Sequence, residues 1–528
     1  MNLRTYWEAK VQKNPSKIFL YHDDEQVLYS ELDERINQVG NGLIDLGIKK
    51  GDRLCLMMPN IPEFLYCWFG LLKTGGVLVP INTNFKANEA QYVLNHSEAT
   101  GLVVSAEHLQ LALQVRKECP HLKWIACVGL DENQLPRQVL PFQQLLSNMP
   151  TELKGFDLKE DDLACVIYTS GTTGFPKGAM HPHRNLLMTG EAFLVRAQVD
   201  ANDRIMAVLP LFHINAQFYS TWGAIAGEAS LILIPQFSAG QFWNQAVRYG
   251  ATEFNFVGTI GRILCSRPEE EFCPEHNLRL AIGAGITPDV YETFTKRFRI
   301  PNVIDAYGLT EIPAVSQNPI GGIIKMKSIG LPARHPDASV IFSEMKVLNE
   351  DGQEARPGMV GELVVRSPVM TSGYYKDPQK TDEAIRNGWF YTGDYAYKDE
   401  DGYFFFIDRK KDIIRRKGEN ISAAEVEAAL NEYPKVLESA VIAVPAELGE
   451  DEVMAFIVPR PGQRIKPEEL IDWCKDRLAS FKLPRFILFR DGFPKTSTQR
   501  IAKSELKKEQ DLVTKATDVE WYKKELGL

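Results

Sequence analysis

No apolar run in this 528-residue chain is long enough to cross a bilayer. The most apolar stretch, FLYCWFGLL from Phe64 to Leu72, falls far short of the ~20 residues that a span needs. The N-terminal MNLRTYWEAKVQKNPSK has no apolar centre, so it does not read as a signal peptide. The eight cysteines are scattered with no C-x-x-C pair. That excludes a disulfide framework or zinc knuckle as the organising feature and points to reduced thiols in the cytoplasm. No basic cluster with interleaved aromatics is present, and the formal charge is −9, which argues against a nucleic-acid binder. There is no internal repeat and no low-complexity tract. What remains has the composition of a soluble globular protein, 44% hydrophobic and 24% charged. It is too long for one core, so two or more domains are expected.

The organising stretch is YTSGTTGFPKG, Tyr168 to Gly178. The apolar run LACVIYT before it reads as a buried strand, and HPHRNLLMTGEAFLVRA after it has helical spacing. Strand, glycine-hydroxyl loop and helix together make a phosphate cradle: glycines bring N–H groups close, hydroxyls add donors and Lys177 adds charge. The GK[ST] ending of a Walker A loop is missing. Upstream, Ser30 is placed as the cap of a helix with Leu32, Ile36, Val39 and Leu43 on one face. Arg53–Met58, the run from Val77, Thr100–Ser105 and Trp124–Gly129 read as strands, and Ile61–Lys73 as a buried helix. The alternation continues through Arg204–Pro210, Ser230–Pro235 and Glu253–Gly258. It predicts an α/β fold with a mostly parallel sheet and helices on both faces.

From about Ser328 the texture changes. ASVIF, KVLN, GELVVRS and GYFFFID are strand-like and separated by turn residues, which predicts a smaller β-rich subdomain. The charge-rich DRKKDIIRRKGEN, Asp408 to Asn420, then reads as a solvated linker and as a hinge to a small α+β C-terminal domain. The expected organisation is an N-terminal domain over 1–407, a hinge at 408–411 and a mobile C-terminal domain over 412–528.

Five segments in fixed order carry a resemblance: YTSGTTGFPKG at Tyr168, YGLTE at Tyr307, YTGD at Tyr391, DRKKDIIRRKGENISAAEVE at Asp408 and PKTSTQRIAK at Pro494. With them the whole chain resembles the adenylate-forming superfamily of acyl-CoA synthetases, luciferases and peptide-synthetase adenylation domains. The implied reaction joins a carboxylate to AMP with loss of pyrophosphate, then passes the acyl group to CoA. Bringing a carboxylate to a triphosphate sets anion against anion, so the site must supply positive charge and donors.

The resemblance implies a role for each position. Thr169, Ser170, Gly171, Thr172, Thr173, Gly174 and Lys177 would hold the β and γ phosphates. Glu311 would carry Mg²⁺, and Thr310 would bind phosphate. Tyr307 and Gly308 would flank adenine, with Gly283, Ala284 and Gly285 beside them. Asp394 would accept from both ribose hydroxyls, and Arg409 would meet the ribose or phosphate side. Lys503 would bridge the acid and the nucleotide during adenylation. Its motif departs from the usual Ser-Gly-Lys, having Thr498, Gln499 and Arg500 instead. Lys411 would be the hinge, about which Lys417, Gly418 and Glu419 swing in to form a CoA channel. As isolated residues, Glu311 reads as a surface acid, Asp394 as a turn residue and Lys503 as an exposed lysine.

The segment Pro210–Phe218 matches the family's acyl-pocket wall, with His213, Ile214 and Asn215 in it. Val257, Gly258 and Thr259 would continue the wall, as would Leu309, Ile312, Pro313 and Ala314. These are small or apolar, which suits an uncharged acyl group. Leu309 stands where acetyl-CoA synthetases have tryptophan, so the acid is expected to exceed acetate. CWFGLLKTGGVLVPIN and the QRIAK ending most resemble bacterial crotonobetaine/carnitine-CoA ligases, yet no acidic residue stands in the walls to meet a trimethylammonium, although an aromatic cage could substitute. The implied partners are ATP, Mg²⁺, CoA and a small to medium carboxylic acid, and a homodimer is compatible with this. Two alternatives stay open: an amine in place of CoA as acceptor, and, less in keeping with Lys503, Glu311 and Asp394, a nucleotide-binding regulator without chemistry.

Overall fold

The computed structural model describes residues 1–169, 176–409, 413–416, 419–445, 451–495, 501–520 and 522. By internal contacts the chain divides into two units. One is Met1–Met345 with Val365–Phe390, and the other is Lys346–Val364 with Tyr391–Leu528.

The first unit holds two sheets, and parallel pairing dominates both. In one, Ser230–Leu233, Arg204–Ala207, Glu253–Val257, Leu280–Ala284 and Asn302–Tyr307 lie side by side, all parallel. In the other, Trp124–Val128, Gly101–Ser105, Arg53–Met57, Val77–Pro80 and Leu163–Thr169 do the same. Most residues of these strands are buried, and several strands, such as Val77–Pro80 and Leu280–Ala284, are continuous apolar runs, as in doubly wound folds. The helix Tyr29–Asp45 shows how: Leu32, Ile36, Val39 and Leu43 are all fully buried. Pro62 opens the helix Pro62–Thr74, and Gly75 ends it at φ 81°. No helix among the described residues is long and apolar enough to cross a membrane.

The second unit is α+β. The strands Val436–Pro445 and Asp451–Pro459 form a long antiparallel pair, with Phe486–Phe489 parallel to the latter. The helix Ala423–Asn431 buries Val426 and Leu430 in its core.

Four sequence expectations are corrected. The glycine-hydroxyl loop does not lead into a helix. Lys177–Pro182 is a strand antiparallel to Leu163–Thr169, and the helix His183–Ala197 starts only after that strand. The first long helix is not capped at Ser30. It starts at Tyr29, because Glu31 Oε2 accepts the Leu28 N–H at 2.9 Å. ASVIF is not a strand: Asp337 Oδ1 accepts from the Ser339 N–H, and the Asp337 carbonyl accepts from Val340, which closes a turn. Within the charge-rich stretch, Ile413–Arg416 is a strand paired with Glu419–Ser422 rather than a linker.

Candidate functional site

In the first unit the carboxyl ends of parallel strands bring Val257, Ala284 and Tyr307 to one sheet edge, where ligands bind in open α/β sheets. Space there is tight. A Cβ on Gly258 would lie 2.5 Å from the Gly285 carbonyl oxygen, and one on Gly283 would lie 2.6 Å from the Phe256 ring. Thr259 follows in the helix Gly258–Cys265. Gly285 has φ 78°, and its N–H and that of Ile286 donate to the two carboxylate oxygens of Asp305 at 2.9 and 3.1 Å. Burial pushes the Asp305 carboxyl up to about 7 against these two donors.

The segment from Tyr307 to Val315 is a clamped turn. Leu309 and Ile312 exchange backbone hydrogen bonds, which leaves Thr310 and Glu311 at the tip, and the Val315 N–H donates to the Tyr307 carbonyl. Ile312 is fully buried, and Pro313 and Ala314 are buried beside it. Ala314 sits at φ 56°, a left-handed conformation that is unfavourable for a residue with a Cβ. Its N–H donates to the Tyr219 hydroxyl oxygen at 2.8 Å. A Cβ on Gly308 would come within 3.0 Å of both the Ala314 nitrogen and that hydroxyl, so a larger residue there would press on the turn. Two further bonds hold the tip. His181 Nε2 lies 2.8 Å from the Thr310 carbonyl, and the Thr371 N–H donates to the Glu311 carbonyl at 2.7 Å. His181 Nδ1 accepts from Asn185 Nδ2 at 3.0 Å, which makes Nε2 the protonated nitrogen. Burial lowers the His181 imidazole to about 4, so it stays neutral in this role.

Lys177 and Glu311 meet at one residue, Tyr374. Lys177 Nζ lies 5.0 Å from the centre of the Tyr374 ring, and the Tyr374 hydroxyl donates to Glu311 Oε1 at 2.8 Å. Lys177 is paired with Thr169 across the two antiparallel strands. The remainder of the loop, Ser170, Gly171, Thr172, Thr173 and Gly174, lies outside the described residues, as do Lys411, Lys417, Gly418, Gln499 and Arg500. For Glu419 only the backbone is described.

The part of the predicted acyl wall from Asn215 to Phe218 lies in a π-helix, Asn215–Thr221, in which the Trp222 N–H reaches back to the Gln217 carbonyl. Such turns are rare and concentrate at functional sites. His213 and Ile214 lead into it, with the His213 ring 4.6 Å from that of Phe212. Behind the helix lies Arg196, buried. Its Nε donates to Gln317 Oε1 at 2.8 Å, and its guanidinium sits 5.3 Å from the Tyr219 ring.

In the second unit Asp394 and Arg409 are opposite one another on paired strands, with Arg409 Nε 2.8 Å from Asp394 Oδ1. Asp394 is buried and follows Gly393 at φ 69°. Asp408 Oδ2 accepts from the Ser422 hydroxyl and the Ala424 N–H, so it caps the helix Ala423–Asn431. Lys503 Nζ lies 2.7 Å from Glu427 Oε1.

Sequence reasoning missed Tyr374, His181, Asn185, Tyr219, Asp305 and Glu427. His181 and Asp305 stand close to recognised motifs, but only the fold brings Tyr374 and Tyr219 to the turn.

The chain matches the family model "AMP-binding enzyme" over residues 7–375 and "AMP-binding enzyme C-terminal domain" over 425–500. It is 31% identical to the crotonobetaine/carnitine–CoA ligase of Proteus mirabilis (strain HI4320), covering 96% of this chain and 98% of that one. Against the ligase of the same name from Salmonella typhimurium, identity is 32%, over 96% and 99%. Among solved structures it superimposes on the anthranilate CoA ligase AuaEII in complex with anthranoyl-AMP, with TM-score 0.89 and 27% identity over 96% of each chain. ATP-bound MatB from Rhodopseudomonas palustris gives 0.86 at 26%, over 96% and 98%.

Proposed function

We propose, from the premise that this chain belongs to the AMP-binding enzyme family and is an ATP-dependent, AMP-forming acid–CoA ligase, that it activates a small to medium acid with an uncharged acyl group, using the residues described above. The assignment rests chiefly on one observation: Lys177, from the strand Lys177–Pro182, and Glu311, from the clamped turn, converge on Tyr374.

Thr169 to Lys177 would hold the β and γ phosphates, with Thr310 assisting. Described residues contain no cluster of three or more candidate metal ligands. A lone carboxylate fits Mg²⁺, which keeps waters and takes most of its oxygens from phosphate. Glu311 has Oε2 to offer, since Tyr374 occupies Oε1. Bound there, the ion would neutralise charge on the departing pyrophosphate. Tyr307, with Gly283, Ala284 and Gly285, would hold adenine. Asp394, flanked by Arg409, would take the ribose hydroxyls.

Lys503 would bring its ammonium to the acid carboxylate and the nucleotide, so that the carboxylate oxygen attacks phosphorus and pyrophosphate leaves. The region 412–528 would then rotate about 408–411 relative to 1–407, exchanging Lys503 for Lys417, Gly418 and Glu419 and admitting the CoA thiol. The thiolate would attack the acyl carbonyl and AMP would leave. Such gating keeps water from the hydrolysable adenylate. We place the enzyme in the cytoplasm, where ATP and CoA are supplied.

The wall favours an uncharged acyl group over carnitine. Among the described residues, no carboxylate pairs with Arg196, whose guanidinium packs against Tyr219 of the π-helix. A buried cation repels a trimethylammonium in low dielectric. The test is pyrophosphate release with ATP, Mg²⁺ and butyrate, crotonate, benzoate, anthranilate, crotonobetaine or carnitine, followed by CoA or an amine and identification of the product by mass. Release with an uncharged acid and a thioester product is expected. Preference for carnitine or crotonobetaine overturns the assignment of the acid. An amide without a thioester overturns the acceptor.

A further inference from the structure

Glu427 does not owe its position to Lys503. The same Oε1 that faces the lysine accepts the Val441 N–H at 2.6 Å, in the middle of the ladder between Val436–Pro445 and Asp451–Pro459. The backbone carbonyl of Glu427 accepts from the Ser439 hydroxyl at 3.3 Å. Its helix is held at the other end by Asp408, the first residue of the expected hinge. The carboxylate is therefore held by one backbone N–H, that of Val441, independently of the lysine, while the Ser439 and Asp408 bonds hold the helix that carries it. Burial raises the Glu427 carboxyl above its ordinary range, and the neighbouring Lys503 works against that rise.

Lys503 stands at the other side of this pair as the first residue of the short helix Lys503–Leu506. Its side chain is 19% exposed and that of Glu427 17%, so the pair is shielded from water on most sides. An ammonium has three donors around one nitrogen. With one donor directed at a fixed carboxylate, the orientation of the other two is restricted. A free lysine side chain would have to lose several rotatable bonds of freedom to reach the same state.

We propose that Glu427 is a positioning residue for adenylation. Its carboxylate, anchored by the Val441 N–H, holds the Lys503 ammonium and so sets where that ammonium meets the acid carboxylate and the nucleotide. The proposal rests on the adenylation role of Lys503. A purely structural ion pair would tie two helices together and would serve both half-reactions alike, whereas a positioning pair serves only the half-reaction that uses Lys503.

The experiment compares Glu427→Ala and Glu427→Gln in the full chain, using the acid with the fastest exchange in the panel above and its synthetic adenylate. For Glu427→Ala the expected result is a fall of about 10- to 100-fold in kcat for ATP–pyrophosphate exchange. KM for ATP should stay within about threefold, and thioester formation from supplied adenylate within about twofold. In a Lys503→Ala background the second substitution should cost nothing more. Should Glu427→Ala fail to fold, Glu427→Gln keeps an acceptor for the Val441 N–H and removes only the charge. A readout without substrate is competitive acetylation by acetic anhydride, followed by peptide mass spectrometry. Lys503 should label several-fold faster in Glu427→Gln, with Lys435 unchanged as the internal standard. Equal loss in both half-reactions, additive loss with Lys503→Ala, or an unchanged labelling rate overturns the proposal. Exchange that survives Lys503→Ala overturns the adenylation role of Lys503 itself, and a changed labelling rate then shows that the pairing still stands.

Discussion

The Tyr374 hydroxyl donates to Glu311 Oε1 at 2.8 Å while the Tyr374 ring carries Lys177 on its face. One side chain thus sets both the orientation of the acid proposed for Mg²⁺ and the approach of the phosphate lysine. Tyr374→Phe keeps the ring and removes the hydroxyl. The apparent affinity for Mg·ATP should weaken by about three- to tenfold, the net size of one ordinary hydrogen bond, with a smaller change in kcat. Pyrophosphate exchange at varied magnesium measures both.

The turn carrying Thr310 and Glu311 depends on Tyr219. Tyr219→Phe strands the buried Ala314 N–H at a residue already in a left-handed conformation. A loss of about 1–3 kcal/mol is expected, read by calorimetry, together with slower adenylation. Gly308→Ala presses on the same contact at 3.0 Å from both atoms and should slow adenylation by more than tenfold. Wild-type exchange rates in Gly308→Ala would refute the account of this turn.

His181 adds a pH dependence of known sign. Burial lowers its imidazole to about 4 in the folded protein, against an ordinary value of about 6.5. Between those values the unfolded chain binds a proton that the folded chain refuses. Stability therefore falls as pH drops from about 6.5 toward 4. His183 is lowered to about 4 as well and contributes in the same direction. His181→Gln removes one of these two protons, so the drop in thermal midpoint between pH 7 and pH 5 should shrink relative to wild type. An undiminished drop would show that His181 is protonated in the folded state.

Lys503→Ala separates the two half-reactions. Adenylation should be nearly abolished, and thioester formation from supplied acyl-AMP should remain largely intact. Equal loss in both steps would rule out an exchange of Lys503 for another face of the C-terminal region.

Much of the fold was legible because parallel strands buried on both faces are continuous apolar runs, and the five motifs are contiguous in sequence. The parallel sheets and the helix bearing Leu32, Ile36, Val39 and Leu43 were read from periodicity alone. The strand Lys177–Pro182 was missed because KGAMHP has neither alternation nor an apolar run; its pairing partner, not its composition, makes it a strand. ASVIF failed for the opposite reason, since local Asp337 side-chain bonding overrode its β-forming residues. In the site, the residues expected to touch ligands sit within motifs. The residues that hold them, Tyr374, His181 and Tyr219, are brought in by tertiary contact and leave no local pattern. Glu427 lay inside a recognised segment, but its partner is a lysine far along the chain.

The π-helix at Asn215–Thr221 has a consequence for how this enzyme could change its acid. Spacing of i to i+5, as between Gln217 and Trp222, means that the wall stores one residue more than an α-helix of the same rise. Deleting a single residue there would let the segment relax to an ordinary helix, leaving the residues after it in place and re-aiming the side chains within the stretch. The Tyr219 hydroxyl would leave Ala314, and a different residue would face the acyl group. For the acyl wall proposed above, the smallest edit expected to alter acid preference is thus a one-residue deletion, available in one genetic step and without any change to Lys177 or Glu311.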